Sequence, residues 1–578
     1  MNQQLLTEFA PLAAIATTPK AIATLSKLNL TTYREDLKTH LREIWSSHRA
    51  LIFCLATGAV VRLIAPLLEH KATDPAIIVV DPEGKFVISL CGSHQQGGDN
   101  LTRIIAQILE ATPILTGAAV NSNLPPIDTI GIPYGWRKGS GNWTEVSAAI
   151  ARGERIEVKQ EVGSTLWQDH LPSDHPFDFN SELPAKVYIT AHTRDLAATS
   201  VQWHPRVLWV GVGCEKNTSQ ALITQAILQV FKLYNLAPEA IAGLASIDIK
   251  ATEPGLVAIS QAGKIPLVTF TAAELSQIKV PNPSSIVAQT VGTPSVAEAS
   301  ALLASQSDTL LVTKQIATKV TIAIAVSQQE YTGRQGKLWL VGIGPGALSQ
   351  MTSAAKSAII AADVVIGYRL YLDLIESLLH PGQIIESFPI TAEQKRAQRA
   401  IALAQWGLSV AVISSGDAGI YGMAGLVLEE LGNQPLEVEI FPGVSALQAA
   451  ASRVGTPLMH DFCAISLSDL LTPWEVIQER LTAAAKADFV TIIYNPRSRE
   501  RTQQIITAQN IFLQYRQPTT PVAIVRCAYR VDESIELTNL ASMLDYPIDM
   551  LTTVIIGNNS TYWQQQRMIT PRGYLKGI

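Results

Sequence analysis

The chain alternates short aliphatic runs with longer helical patterns from one end to the other, and this alternation restricts the folds open to it. The runs are typical of buried strands, and they lie at Ala50–Leu55, Ala76–Val80, Lys85–Leu90, Val207–Val210, Leu338–Val341, Val410–Ser414 and Val490–Ile493. Helical patterns occupy Thr218–Tyr234, Ser295–Ser305, Leu348–Ala361 and Glu393–Gln405. Such alternation predicts an α/β protein with parallel or mixed sheets. At 578 residues the chain is long enough for several modules.

Composition excludes several classes of protein. Charged residues make up 16% of the chain, against roughly 25% in an average soluble domain, so extensive disorder is not expected. The net charge of -5 argues against nucleic acid as a partner. The longest apolar run, 50–61, is shorter than the ~18 residues of a membrane span. The first residues lack the basic start of a secretory signal. We therefore predict a cytoplasmic protein without a membrane partner.

No metal site is expected from the cysteines or histidines. The five cysteines are widely spaced and form no C-x-x-C pair, which argues against disulfide, zinc or iron–sulfur frameworks. The cluster around Asp169, His170, Asp174, His175 and Asp178 lacks regular ligand spacing, and we interpret it as an exposed turn.

Changes in composition indicate where modules begin and end. From Pro125 to Asn180 the chain is polar and rich in Trp, Gly and Pro, and a fresh strand begins shortly after Pro205. Ser327–Gly336 has the composition of a linker. The predicted modules are 1–124, 125–203, 204–328, a linker at 329–336, and a domain at 337–578.

A glycine-rich turn opens the last domain, but it does not match a dinucleotide site. Gly342–Gly346 reads G-x-G-x-G, whereas the dinucleotide fingerprint is G-x-G-x-x-G. Pro345 also has no N–H to offer a pyrophosphate. The strand that follows ends in Gly367-Tyr368, with no carboxylate placed for a ribose.

Three further turns follow strands in the same domain. They are Ser414–Gly422, with three glycines around Asp417, then Phe441–Leu447, and then Tyr494–Ser498. Each turn alone is ordinary, but the ordered set resembles the tetrapyrrole methylases. The sequence Asn495-Pro496-Arg497-Ser498 is most similar to precorrin-3B C(17)-methyltransferases. Gly416-Asp417-Ala418 departs from the usual Gly-Asp-Pro of that family.

The methylase resemblance covers Lys337 to about Tyr562 and implies fold, cofactor and site residues. It implies a class III S-adenosylmethionine methyltransferase fold with subdomains at about 337–442 and 443–578. It also implies a homodimer through this domain. Tyr368 stands where related enzymes place a general-base aspartate, and a phenol is a poor base at neutral pH. The implied cofactor contacts are Pro345, Ser415, Gly416, Asp417, Ile420, Ser445, Ala446, Asn495 and Ala528. Candidates to hold the substrate's carboxylates are Arg369, Arg497, Arg499, Arg501, Arg526 and Arg530.

The first 330 residues place polar groups at several predicted strand ends. Cys91–Asn100 is a polar loop with His94, and Asp248, Lys250 and Glu253 lie within six residues of one another. These stretches resemble cobalt-precorrin-5A hydrolases, which open a lactone and release acetaldehyde. The reaction needs a general base and a group that stabilises negative charge. We predict Glu253 or Asp248 as the base, Lys250 as the electrostatic partner and His94 as a contributor from another module.

Together the two resemblances predict a bifunctional enzyme of cobalamin biosynthesis. One half methylates C(17) and contracts the ring of (cobalt-)precorrin-3, and the other opens the lactone of cobalt-precorrin-5A. Cobalt is expected on the precorrin substrate and not on the protein. Two alternatives remain: an amino-terminal half that binds corrinoids without catalysis, and a superfamily relative with an RNA or protein acceptor.

Overall fold

A computed structural model describes residues 6, 9–70, 73–93, 96–116, 124–169 and 171–574. Within these ranges, no helix is both long and apolar enough to cross a membrane. The architecture is α/β throughout, with the predicted alternation of strands and helices.

The first module is a six-stranded mixed sheet covered by helices on both faces. Alternate residues of Ala50–Cys54 face different apolar clusters, so every position of this strand is buried. Its strands are β1 Leu12–Ala16, β2 Thr32–Tyr33, β3 Ala50–Cys54, β4 Ala76–Val80, β5 Phe86–Cys91 and β6 Thr112–Ile114, in the order β2-β1-β3-β4-β5-β6. Its helices are Pro19–Ser26, Leu37–Ile44, Thr57–Ile64 and Gly98–Leu109.

The middle module is a smaller five-stranded sheet, and its described residues include the α-helix Trp143–Ala151. The buried indole of Trp203 donates to the carbonyl of Ile127 (2.9 Å), which satisfies its polar edge inside the core. The strands are β7 Arg137–Gly141, β8 Ile156–Gln160, β9 Phe177–Asp178, β10 Lys186–Ile189 and β11 Ser200–His204, in the order β7-β11-β10-β8-β9.

The third module sets three parallel strands beside an antiparallel pair. Because β12, β13 and β14 run in parallel, their carboxyl ends meet at one edge of the sheet. The strands are β12 Leu208–Cys214, β13 Ile241–Ile247, β14 Leu267–Phe270, β15 Leu310–Ala317 and β16 Val320–Val326, in the order β14-β13-β12-β16-β15. The helices are Gln220–Leu233, Pro254–Gly263, Ala272–Ser276, Ser285–Val291 and Val296–Ser305.

The next unit is a fully parallel five-stranded sheet. Its strands are β17 Lys337–Gly342, β18 Val364–Tyr368, β19 Ile384–Phe388, β20 Ser409–Ser414 and β21 Glu437–Phe441, in the order β19-β18-β20-β17-β21. Its helices are Ser353–Ala361, Arg369–Asp373, Glu393–Gln405 and Ala424–Leu431. The helix predicted from Leu348 begins later, at Ser353. The hydroxyl of Thr352 caps it by accepting from the Ala355 N–H (3.2 Å).

The last unit is a mixed sheet with a small three-stranded annex. The main strands are β23 Phe462–Ser466, β24 Val490–Tyr494, β25 Pro521–Arg526, β26 Ser534–Asn539 and β27 Thr552–Ile556, in the order β23-β24-β27-β25-β26. The annex joins β22 Gly455–Thr456, β29 Arg567–Ile569 and β28 Tyr562–Gln564, in that order. The helices are Ala446–Val454, Trp474–Lys486 and Gln503–Leu513.

Apolar contacts join the first and middle modules to the parallel sheet unit. Helix Gly98–Leu109 packs against helix Ser353–Ala361, and both contribute to one buried cluster. A second cluster unites Trp136 and Trp203 of the middle module with Leu403 of the later unit. The two halves therefore share their hydrophobic cores.

The segment Ser327–Gly336, which connects the two halves, forms hydrogen bonds with three parts of the fold. The buried carboxylate of Glu330 accepts from the Trp136 indole (2.7 Å) and from the Ser164 N–H (3.0 Å). Arg206 donates to the carbonyl of Thr332 (2.5 Å), and the Thr332 hydroxyl donates to the carbonyl of Trp406 (2.9 Å). Hydrogen bonds of this segment thus connect the middle module, the third module and the parallel sheet unit.

Replacing Glu330 with alanine should destabilise the chain, because the Trp136 and Ser164 donors would lose their acceptor. An unsatisfied buried polar group costs about 1–3 kcal/mol. Urea unfolding of Glu330→Ala should therefore show a lower midpoint than wild type. Gln328→Ala, an exposed change in the same segment, should keep the wild-type midpoint. Equal midpoints for both variants would contradict the anchoring role.

Glu330 should also make stability depend on pH. Burial raises the pKa of Glu330 above its usual value of 4.5, although the Trp136 indole opposes this shift. The folded state then holds the proton more tightly than the unfolded state, so this contribution falls as pH rises from 4.5 through the raised pKa. Glu330→Gln removes the titration. The unfolding free energy of wild type relative to this variant should decline across that range, and a constant difference would refute the linkage.

Candidate functional site

Two loops of the later half pair with each other at the carboxyl edge of the parallel sheet. Gly344 follows β17, and Gly416 follows β20. Each donates its N–H to the carbonyl of the other, at 3.0 Å from Gly344 and 2.8 Å from Gly416. Both glycines have positive φ, of +71° and +68°, which favours glycine over other residues. The first and second glycine-rich turns are thus one bridged structure.

The third turn crosses the second so closely that a side chain would not fit. A Cβ on Gly443 would lie 2.1 Å from the Gly416 carbonyl oxygen, and a Cβ on Gly342 would lie 2.7 Å from the same oxygen. The glycines therefore allow the backbones of three loops to approach at one point.

Asp417 joins the second loop to the third. Its Oδ1 accepts from the Gly419 N–H (2.8 Å), and its Oδ2 accepts from the Gly443 N–H (3.1 Å). The carboxylate therefore fixes the relative position of the two loops through charge-assisted hydrogen bonds.

Asp417→Ala should weaken cofactor binding because the third loop would lose its anchor. Hydrogen bonds to a charged group contribute about 1.5–3 kcal/mol, so we expect the affinity for S-adenosylhomocysteine to fall by roughly tenfold or more. Titration calorimetry measures the change. Asp461→Ala, which removes an exposed aspartate of the same domain, should bind as wild type does. An unchanged dissociation constant for Asp417→Ala would count against this role.

The last unit of the fold supplies the residues that face these three loops. Ser445 caps helix Ala446–Val454 in a capping box with Gln448, and the Tyr494 hydroxyl accepts from the Leu447 N–H (2.9 Å). Gly416 lies against this helix start, since a Cβ on it would be 3.4 Å from the Ala446 nitrogen. The loop after β20 and the start of this helix therefore touch.

The remaining predicted cofactor residues, Asn495, Ile420 and Ala528, lie in loops that follow strands β24, β20 and β25. Asn495, with φ of +48°, donates from its amide to the Ser466 hydroxyl (3.0 Å). Ile420 is partly exposed beside Tyr421, whose ring centroid lies 5.0 Å from that of Tyr494. Ala528 is half-buried in the loop that follows β25.

Arg530 bridges the two subdomains, a role that sequence reasoning did not assign to it. It donates from Nε to the Pro345 carbonyl (2.7 Å) and from Nη2 to the Ser415 hydroxyl (3.3 Å). This guanidinium therefore holds the first and second loops from the side of the last unit. Two of its donors are used in hydrogen bonds within the protein.

The other candidate arginines divide into paired and exposed groups. Arg369 pairs with Asp373 (2.8 Å), and Arg526 pairs with Asp549 (2.8 Å) and Asp532 (3.1 Å). Arg501 donates to the Asn495 carbonyl (2.8 Å). Arg497 and Arg499 are exposed, and no acidic side chain among the described residues forms an ion pair with either.

Tyr368 ends β18 at the same edge of the sheet. Its ring stands edge-on to Tyr371, with centroids 5.3 Å apart. Burial raises the pKa of Tyr371, and the nearby Arg530 offsets part of that rise. Sequence reasoning missed Tyr371, although a second aromatic three residues after Tyr368 was visible at helical spacing.

The third module brings Glu253 and Lys250 together but leaves Asp248 apart. Lys250 Nζ lies 2.8 Å from Glu253 Oε2, and both side chains are largely buried. Glu253 Oε1 is buried without a hydrogen-bond partner among the described residues. Asp248 is exposed, and its Oδ1 accepts from the N–H of its neighbour Ile249 (2.7 Å). Of the two predicted bases, Glu253 has the free, sheltered oxygen.

Two further titratable side chains lie in the same module, and one of them, Cys214, interacts electrostatically with this pair. Burial raises the pKa of the Cys214 thiol, the last residue of β12; Lys250 lowers this pKa and Glu253 raises it further. Glu298 is fully buried and accepts from the Asn282 amide (2.8 Å) and the Lys314 N–H (2.9 Å), which orders neighbouring loops. Glu298 was missed because its partners are distant in sequence.

His94 and His170 lie outside the described residues, so the predictions for them stay predictions. Within the described ranges, no group of three His, Cys, Asp or Glu side chains could hold a metal ion.

Four protein families match successive parts of the chain. They are Cobalamin synthesis G N-terminal at 39–119, Cobalamin biosynthesis central region at 125–205, Cobalamin synthesis G C-terminus at 208–325, and Tetrapyrrole (Corrin/Porphyrin) Methylases at 337–544. The matches follow one another in chain order.

Curated relatives resemble the two halves separately. A cobalt-factor III methyltransferase of Priestia megaterium is 52% identical over 42% of this chain, which spans only 45% of that protein. A protein of Salmonella typhimurium named probable cobalt-factor III C(17)-methyltransferase is 51% identical over 41% of this chain and 99% of its own length. A cobalt-precorrin-5A hydrolase of Priestia megaterium is 32% identical over 52% of this chain and 84% of its own length.

Proposed function

Because the chain belongs to the tetrapyrrole methylases in its later half and to the cobalamin synthesis G family in its earlier half, we propose that it is a bifunctional enzyme of cobalamin biosynthesis. The later half uses S-adenosylmethionine to methylate C(17) of (cobalt-)precorrin-3 with ring contraction. The earlier half opens the lactone of cobalt-precorrin-5A and releases acetaldehyde. The names of the relatives that match each half support this assignment.

The loop crossing at Gly416 and Gly443 carries the methylase proposal. The crossing is bounded by Asp417, Ser445 and Ala446 and brings the main-chain groups of three loops together, which fits a cofactor held by backbone. S-adenosylmethionine supplies an activated sulfonium methyl, to which an electron-rich pyrrolic carbon is a competent nucleophile. The protein's task is to hold the reactants in line and exclude water. Asp417 and Arg530 serve this task by fixing the loops from opposite sides.

The substrate is an anionic macrocycle that carries its own cobalt. Arg497 and Arg499 are exposed cations next to Asn495, and they suit the substrate's carboxylates. Tyr368 orients the ring with Tyr371 beside it. From the family resemblance we also propose a homodimer through this domain, acting in the cytoplasm.

In the hydrolase half, Glu253 acts as the general base and Lys250 as the charge stabiliser. The free Oε1 of Glu253 takes a proton from the water that attacks the lactone or the adjoining carbon. Lys250, held by Oε2 of the same carboxylate, stabilises the negative charge that develops on oxygen. The opened macrocycle and a two-carbon fragment, acetaldehyde, leave as products.

One incubation tests the methylase half. The protein is mixed with cobalt-precorrin-3 and methyl-labelled S-adenosylmethionine, and the corrinoid is analysed by mass. Gain of one labelled methyl group supports the proposal, and unchanged substrate contradicts it. A parallel assay of acetaldehyde release from cobalt-precorrin-5A separates a hydrolase from an amino-terminal half that only binds corrinoids.

A further inference from the structure

A cavity of about 620 Å³ lies between the two halves. On one side it is walled by the start of helix Gly98–Leu109. On the other it is walled by residues at the amino ends of the parallel strands, among them Lys337, Asp363 and Ser409. The glycine-rich loops follow the carboxyl ends of these strands. The cavity is therefore at the opposite edge of the sheet from the proposed cofactor site.

Arg103 lines this cavity from helix Gly98–Leu109. The side chain is half-buried, and among the described residues none accepts a hydrogen bond from it. Asp99 stands one helical turn earlier but does not form an ion pair with Arg103, and burial lowers the pKa of the guanidinium. A guanidinium presents five N–H donors in a fixed planar fork, and those of Arg103 are available to a ligand that enters the cavity.

Cationic side chains outnumber carboxylates among the residues that line the cavity. Arg49 and Lys337 also line it, as does the carboxylate of Asp99. The carboxylate of Asp363 is engaged by Arg334 (2.8 Å) and by the Ser409 N–H (2.8 Å). Much of the remaining wall is apolar, as at Ile130. The chemistry favours a ligand with an anionic group on an apolar body.

We propose that this interface cavity binds a carboxylate-bearing ligand with Arg103 as its anchor. A carboxylate matches the guanidinium fork through two parallel hydrogen bonds. The volume suits a small ligand or one edge of a larger one. The carboxylate has two possible sources, a free small polycarboxylate or a side chain of a macrocycle. The inference rests on the cavity and stands apart from both proposed activities.

Titration calorimetry on the full chain distinguishes the two sources. Citrate and uroporphyrin are the probes, each with S-adenosylhomocysteine present at saturation. Binding of citrate indicates a small polycarboxylate, and binding of uroporphyrin alone indicates a macrocycle. Arg103→Met should weaken binding of the probe at least tenfold, and the affinity of Arg103→Lys should lie between those of Arg103→Met and wild type. Arg42→Met, which changes an exposed arginine of the same module, should bind the probe as wild type does. Failure of both probes to bind wild type, or equal binding by Arg103→Met, overturns the proposal.

Hydrogen exchange on the wild-type chain locates the probe without relying on any variant. The bound probe should protect residues 97–103, 361–363 and 380–383, the segments that line the cavity. Protection confined to 342–346 and 414–420 would place the probe at the glycine-rich loops and would overturn the proposal. Methylation and acetaldehyde assays on Arg103→Met report the proposed activities independently, so a failure of one inference leaves the other testable.

Discussion

Glu253→Gln should release acetaldehyde from cobalt-precorrin-5A roughly 10²–10⁴-fold more slowly than wild type, which is the usual contribution of a general base. The amide keeps the shape of the side chain but cannot take a proton from water. Since Glu253 lies in the third module, methylation should continue at the wild-type rate. Release of acetaldehyde is measured directly, with label incorporation as the second readout.

Glu215→Gln is the matched control for this experiment. Glu215 follows β12 at the same edge of the sheet, but it is exposed and pairs with Lys319 (3.3 Å). Loss of an exposed ion pair costs at most about 1 kcal/mol, too little to imitate the loss of a base. If Glu253→Gln and Glu215→Gln release acetaldehyde equally fast, Glu253 is not the base, and the open prediction for His94 becomes the next to test.

Gly443→Ala should lower the affinity for S-adenosylhomocysteine by roughly 10- to 100-fold. The added methyl group would lie 2.1 Å from the Gly416 carbonyl oxygen and 2.7 Å from the Gly342 carbonyl carbon, all of them backbone atoms. The three loops would have to separate, and overpacking of this kind costs about 1–3 kcal/mol. Titration calorimetry gives the affinity, and circular dichroism shows whether the chain is folded.

Gly425→Ala provides the control in the same subdomain. Gly425 lies in helix Ala424–Leu431, and a Cβ there meets no atom within 4 Å, so this change should bind cofactor normally. Wild-type affinity in Gly443→Ala would show that the loop crossing is not where the cofactor lies.

Local patterns predicted the strands and turns well because each depends on neighbouring residues. The run predicted at Ala76–Val80 is a strand with those bounds, and the four turns do follow strands. Long-range roles were not visible in the same way. The polar composition of Ser327–Gly336 carries no sign that Glu330 would be buried against Trp136, because the partner lies 194 positions away.

For the site residues, too, the sequence indicated the local loop but not the long-range contacts. Asp417 was recognised from its loop, but its anchoring of Gly443 depends on how two loops meet in space. Arg530 was recognised only as a cation, and its contacts with Pro345 and Ser415 cross 185 and 115 positions. The choice between Asp248 and Glu253 likewise needed the burial of each carboxylate, which sequence spacing does not specify.

The packing of helix Gly98–Leu109 on helix Ser353–Ala361 has a consequence for the living cell. When two catalytic halves share a core, opening of one exposes apolar surface of the other. A substitution that destabilises either half by about 1–2 kcal/mol can then lower the abundance of the whole chain several-fold through proteolysis. Inherited defects in one reaction should therefore reduce the other as well, and supplying a separate gene for the first reaction alone should leave the other reaction impaired.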